Sequence, residues 1–213
     1  MMTPIEKIGS NIYKLTLGPF WTNNYLIIKN NQSLLIDCTS SYEICELIKS
    51  LNCQLIGIIL THGHIDHTSA VKKISQKFNL IPYMNSQDDI QLKIAMETYQ
   101  EYGFTEYEMF EYQHIDEGDL IIGDFRIKVI HTPGHTQGSC CFLYEDILFS
   151  GDTIFRESIG RTDLPGGSFE LILSSIHSKI LPLDDNILVL PGHGPITSIK
   201  HEKKYNPFVN AYS

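Results

Sequence analysis

The order of apolar and polar positions predicts strands at both ends of the chain and helices between and after them. Within residues 5–38, NIYKLTLG, YLIIKN and SLLIDC read as strands. The last two are joined at Asn30-Asn31, a pair suited to a tight hairpin turn. Residues 41–51, SYEICELIKSL, space their apolar side chains as a helix does, with Ser40 or Ser41 as the cap. LIGIIL is too short and too rich in isoleucine for a helix and reads as a buried strand. Helical spacing returns from Thr68 to Phe78, and a short strand, LIPYM, follows. The stretch from Ser86 to His114 is helix-prone and dense in aromatic and acidic residues. From Asp119 strands resume in DLIIGDFRIKVI, SCCFLYEDILFS and NILVLP, with one helix, FELILSSIHSKI, introduced by Gly166-Gly167-Ser168. Strand runs interspersed with helices, without strict βαβ alternation, predict sheets covered by helices on the outside. No shift in composition marks a boundary, so one domain is expected over residues 1–213.

Composition narrows the partners. An apolar share of 42% and a charged share of 19% are those of an ordinary globular protein. The net charge is −9, from 16 basic against 25 acidic residues, and no basic cluster exceeds two neighbours. Nucleic acid and anionic membrane surfaces both require concentrated positive charge, so neither is the expected partner. The first residues, MMTPIEKIGSNIYKLTLG, carry no apolar signal segment, and apolar runs stop far short of the ~20 residues of a membrane-spanning helix. A soluble, cytoplasmic protein is expected. The five cysteines, Cys38, Cys45, Cys53, Cys140 and Cys141, form an odd set without CxxC spacing and read as reduced, packed thiols. Cys140 and Cys141 take opposite faces if they lie in a strand.

The chemistry concentrates in LTHGHIDHTS, residues 60–69, directly after a buried strand. His62 and His64, two apart in an extended segment, point the same way and can grip one ion. Asp66 and His67, one turn further on, lean toward a second position, and Gly63 lets the backbone pass close. An isolated histidine is more often a packed or surface residue than a ligand. Three with an aspartate at this spacing reverse that prior, because imidazole nitrogen and carboxylate oxygen are the donors that zinc and iron accept. Four residues leave two ion sites incomplete. Three other strand ends offer partners: His135 in HTPGHT (131–136), Asp152 in FSGDT (149–153) and His193 in LPGHGP (190–195). Among the remaining histidines, His131 sits at a strand end behind this group, and His114, His177 and His201 read as surface or packing residues.

These motifs together resemble the metallo-β-lactamase superfamily: T-H-x-H-x-D-H from Thr61 to His67, the T-P-G-H-T turn, the S-G-D-T aspartate and the terminal G-H-G-P. The resemblance covers nearly the whole chain and implies an αββα sandwich with the metals at one edge. It implies that His62, His64 and His135 hold a first metal, that Asp66, His67 and His193 hold a second, and that Asp152 bridges them. The segment GDTIFRESIGRTDLPGGSFELILSSI and the closing NPFV are similar to the short glyoxalase II-type hydrolases. Full-length members of that group add a C-terminal helical domain that recognises glutathione, and this chain ends about a helix after His193. Thioester chemistry is therefore the closer expectation than glutathione specificity.

Two divalent cations about 3.5–4 Å apart hold a bridging water and lower its pKa toward ~7, giving a metal-bound hydroxide as nucleophile. Zinc is the expected metal, with iron and manganese compatible with the same donors. The expected substrate is a small-molecule thioester, whose thiolate leaves without a dedicated acid. Asp66 is read as a ligand and as the one carboxylate placed to accept a proton. Arg156 and Arg161 could clamp a substrate carboxylate; salt bridges to Glu157 or Asp163 are the duller reading of each. The aromatic series Tyr99, Tyr102, Phe104, Tyr107, Phe110 and Tyr112 reads as core packing ahead of cleft lining. Its neighbours Glu97, Glu101, Glu106, Glu108 and Glu111 disfavour a strongly anionic substrate. The alternatives are an iron-dependent persulfide dioxygenase, whose last histidine usually precedes Asp-Tyr where His193 precedes Gly194-Pro195, and a lactone or β-lactam hydrolase. A silent binding scaffold is disfavoured by the intact ligand set.

Overall fold

The computed structural model describes residues 5–105 and 107–210, so residues 1–4, Glu106 and residues 211–213 lie outside it. Two sheets account for the strands. In the first, β1 (Ile5–Ile8), β2 (Ile12–Leu17), β3 (Thr22–Lys29) and β4 (Gln32–Ile36) form an antiparallel meander. Three parallel strands extend it: β5 (Gln54–Ile59), β6 (Tyr83–Met84) and β7 (Gln113–His114). The β3–β4 hairpin turns at Asn30-Asn31 as expected, with φ of +50° and +64°, the left-handed pair that such a two-residue loop requires. The second sheet runs in the order β15 (Thr197–Ser198), β14 (Leu188–Pro191), β11 (Ile147–Gly151), β10 (Cys140–Tyr144), β9 (Phe125–His131), β8 (Gly118–Ile122).

Strand residues alternate between two layers, which explains their unbroken apolar runs. Ile27, Leu34, Ile36 and Ile59 of the first sheet meet Phe125, Ile127, Phe142, Phe149 and Leu190 of the second in the inter-sheet core. Their neighbours Leu26, Leu35 and Ile58 face outward onto α1 (Ser41–Ser50) and α3 (Val71–Phe78). On the far side Cys141, Leu148 and Val189 pack on α5 (Phe169–Ser175) and on Ile199 of α6 (Ile199–Tyr205). Cys140 faces the inter-sheet core and Cys141 the helices, so the two thiols do take opposite faces. Helix, sheet, sheet and helix form the expected αββα sandwich. Among the described residues no helix is long and apolar enough to cross a membrane.

Two expectations change. The helix predicted from Thr68 to Phe78 starts at Val71 as α3, separated from a short preceding α2 (Ile65–Thr68), because Cys38 intervenes. Its N–H donates to the His67 carbonyl and its carbonyl accepts from the Ala70 N–H. The helix-prone stretch from Ser86 yields one turn of 3₁₀ helix and α4 (Asp89–Thr98). After it the chain turns through Gly103 at φ +81°, and the described residues up to Tyr112 form no helix or strand, anchored by buried Tyr107 and Phe110.

The strand directions place the site. β9 and β11 are both antiparallel to β10 and β14 is parallel to β11, so β9, β11 and β14 end at the same edge. β4 and β5 of the other sheet bring their ends to it, where the Cys140 N–H donates to the Thr61 carbonyl across the sandwich.

Candidate metal centre

Seven side chains from four strand ends converge at this edge. Donor atoms of His62, His64 and His135 lie within 4.8 Å of one another, as do those of Asp66, His67 and His193. A third group of the same span joins His62 and His67 through Asp152. The Asp152 carboxylate reaches both sides: Oδ1 is 3.4 Å from His67 Nε2, and Oδ2 is 3.4 Å from both His135 Nε2 and His193 Nε2. His62 Nε2 and His64 Nδ1 are 3.1 Å apart. All seven sequence-predicted ligand positions are thus brought together, in two groups that share one carboxylate.

The rings are aimed from behind. Thr61 Oγ1 donates to Asp37 Oδ2 (2.8 Å) and lies 3.0 Å from His62 Nδ1; its proton being used, it accepts the Nδ1–H and leaves the His62 Nε2 lone pair facing the centre. His67 Nδ1 donates to the same Asp37 oxygen at 2.7 Å. His135 Nδ1 donates to the Arg161 carbonyl (2.8 Å) and His193 Nδ1 to the Phe20 carbonyl (3.1 Å). Such outer partners set which nitrogen carries the proton and fix the ring plane. Asp66 Oδ2 accepts from Thr22 Oγ1 at 2.7 Å. Gly192 precedes His193 because a Cβ there would lie 2.2 Å from Asp152 Oδ1 and 2.8 Å from His67 Cε1.

Asp37, Asp88 and Thr22 were not singled out in the sequence. Asp37 stands in the run SLLIDC directly after β4, and an acid following a buried strand is a readable signal. Asp88 gave none, yet its buried carboxylate accepts from Gly63 N (2.8 Å), Gly138 N (2.7 Å) and Thr136 Oγ1 (2.8 Å), joining the His62–His64 loop to the His135 loop. His131, expected behind the group, binds the Gln137 carbonyl at 2.8 Å and closes the same loop.

Electrostatics distinguish the two groups. Burial and the neighbouring imidazoles hold His62 well below its ordinary range and His64 down to about 3, so both are neutral donors at pH 7. Burial also opposes charge on His67, but the Asp66, Asp37 and Asp152 carboxylates outweigh it and hold the pKa well above ordinary. His193 is raised to about 10, against burial, by Asp152 and Asp66. Both carboxylates are in turn kept ionised: burial raises them, and the histidines facing them more than reverse it. The second group therefore demands positive charge, and without a cation two imidazoliums supply it. His135 Nε2, His64 Nε2 and Asp152 Oδ1 are buried without a hydrogen-bond partner, which a native protein rarely tolerates. Unpartnered donors, neutral imidazoles and ionised carboxylates fit divalent cations.

The centre opens on a cleft of about 580 Å³ lined by residues that include Phe20, Trp21, Ile94, Phe155 and Arg161. Arg161 lines this cleft while its guanidinium holds Asp163 in two bonds of 2.8 and 2.7 Å. Arg156 does not line it; it sits on the turn between β12 (Ile154–Phe155) and β13 (Ser158–Ile159), beside Glu157 at 3.9 Å. The salt bridges expected as the duller reading are both present. The aromatic series divides: Tyr107 and Phe110 are core, while Tyr102 lines the cleft with Phe20 stacked edge-on against it.

A sequence model of the metallo-beta-lactamase superfamily matches residues 17–193. The chain belongs to this superfamily. Among its relatives, the probable metallo-hydrolase YqgX of Bacillus subtilis (strain 168) is 36% identical over 94% of this chain and 98% of its own. The hydroxyacylglutathione hydrolase GloC of Haemophilus influenzae is 34% identical over 98% of this chain and 99% of its own. Of solved structures, the B3 metallo-beta-lactamase BLEG-1 superposes with a TM-score of 0.84 at 35% identity, covering 93% of this chain and 99% of that one. TTHA1623 in a di-iron-bound form gives 0.85 at 32% identity, covering 92% and 98%. Membership places the protein among metal-dependent hydrolases with a metal-binding His/Asp centre.

Proposed function

We propose that the protein is a dinuclear metal-dependent thioesterase of the glyoxalase II type, cleaving S-D-lactoylglutathione or a related acyl thioester. The observation that carries this is the pair of three-residue donor groups sharing Asp152 at the floor of an open cleft. The identity with the hydroxyacylglutathione hydrolase GloC across nearly all of both chains supports the same reading.

His62, His64 and His135 would hold one cation, Asp66, His67 and His193 the other, with Asp152 between. When bound, the pair supplies Lewis-acid polarisation of a carbonyl and acidification of water toward neutral pH. Asp37 presents His62 and His67 in the ligand tautomer, and the Arg161 and Phe20 carbonyls do the same for His135 and His193. Asp66 is ionised and takes a hydrogen bond from Thr22, so it holds and orients; a carboxylate kept so acidic is a weak proton acceptor at neutral pH. The leaving thiol has an ordinary pKa of about 8.5 and departs as thiolate without a protein acid. Zinc is the metal we propose, and nitrogen and carboxylate donors serve iron and manganese as well.

The test is hydrolysis of S-D-lactoylglutathione by zinc-loaded protein beside its His64→Ala variant. Cleavage that disappears in the variant is expected. Absence of cleavage of S-D-lactoylglutathione and of longer-chain acyl thioesters alike, by protein shown to hold its metal, would overturn the thioesterase and turn attention to cyclic amides, a reading that the likeness to BLEG-1 favours.

A further inference from the structure

The walls of the cleft say which half of a thioester they receive. Above the donor residues they are built of Phe20, Trp21, Ile65, Ile94, Phe155 and Ile159. Of the polar side chains on this lining, Gln91, Thr98 and Arg161 are committed within the protein, and Tyr102 and Ser158 add only neutral hydroxyls. The Gln91 amide donates to the Pro165 carbonyl (2.6 Å), the Thr98 hydroxyl to the Ile94 carbonyl (2.7 Å), and the Arg161 guanidinium to Asp163. Among the described residues no lysine lines the cleft, and apart from the donor histidines Arg161 is its one cationic side chain.

A multiply charged thiol carrier therefore finds little matching charge on these walls, and burying it unpaired would be costly. It stays in water, and the acyl group is the part that the walls enclose. Resting on the thioesterase reading, we propose that the cleft selects thioesters by the apolar size of their acyl group, favouring medium-chain or aromatic acyl groups over the small hydroxyacyl of S-D-lactoylglutathione. Trp21 marks the mouth. It is 76% exposed and holds φ +54°, a conformation uncommon for so bulky a residue, which presents the indole at the opening instead of in the core.

Trp21 is the only tryptophan of the chain, so its fluorescence reports occupancy of the cleft without turnover. The probes are S-methyl-, S-butyl- and S-hexylglutathione, which share one head and carry no cleavable bond. Each buried CH₂ is worth about 0.8 kcal/mol, about fourfold in Kd, and even half that gives roughly 30-fold between methyl and hexyl. The expected result is a blue shift of Trp21 emission with a Kd falling at least ~30-fold across the series. In Ile94→Asp, which puts a carboxylate on the half-buried wall of α4 outside the core clusters, that dependence should flatten at least ~5-fold. Equal affinities for methyl and hexyl, or an Ile94→Asp variant with the full dependence, would overturn the proposal. Because no hydrolysis is involved, its failure is separate from that of the thioesterase: acyl thioesters cleaved at rates indifferent to chain length would sink the selectivity alone.

Discussion

Asp37 is one residue on which the geometry of both donor groups depends. It follows β4 at φ +59° and serves Thr61, and through it His62, as well as His67 directly. Asp37→Asn tolerates that backbone but turns an amide toward a donor. Outer partners of metal-ligating histidines are typically worth 10–100-fold in metal affinity, so a loss of about that size is expected in competition with a chelator. A second expectation concerns protons. His193, raised to about 10, is protonated in the metal-free protein at pH 7.5, and a cation requires the lone pair that proton occupies. Metal binding should therefore release protons, and affinity should rise with pH toward about 10. Titration calorimetry in buffers of different ionisation enthalpy checks this; a heat independent of buffer would contradict it.

At the scale of elements, the loops that carry the donors are joined by Asp88, in the turn before α4. Asp88→Ala would leave Gly63 N, Gly138 N and Thr136 Oγ1 without their acceptor, and hydrogen bonds to a charged group are worth about 1.5–3 kcal/mol each. A loss of about 3 kcal/mol or more is expected in urea unfolding, together with weakened binding of the cation held by His62, His64 and His135. What the sequence reveals and conceals follows from distance along the chain. The β3–β4 hairpin, the sandwich strands and the clustered histidines are legible because each signal is local: a two-residue turn, apolar runs buried on both faces, ligands two to three positions apart. The split between α2 and α3 is not, since it depends on Cys38 about 30 positions upstream. Nor is the early end of α4, where helix propensity yields to the burial of Tyr107 and Phe110 in an irregular chain. His135, Asp152 and His193 were readable because each follows a strand and a tight turn. Asp88 stands among polar residues with no pattern, and only the fold brings it to Gly63 and Gly138.

On the scale of the whole molecule, the sandwich ends five buried strands at one edge and gathers there three ionised or ionisable carboxylates and five histidines under little solvent. Such an arrangement is poorly balanced without cations, so metal should stabilise the entire fold. A ligand at a thousand times its Kd adds about 4 kcal/mol to a native state that alone binds it. For a chain of this size that corresponds to a Tm about 8–16 °C higher, to be lost on chelation and recovered with added zinc. The central claim is that two cations share Asp152. Native mass spectrometry of the metal-loaded protein counts them directly, and the account predicts two ions per chain and one in His135→Ala, with the remaining ion held by Asp66, His67 and His193. A single ion in the unaltered protein, or a His135→Ala variant that still holds two, would contradict it.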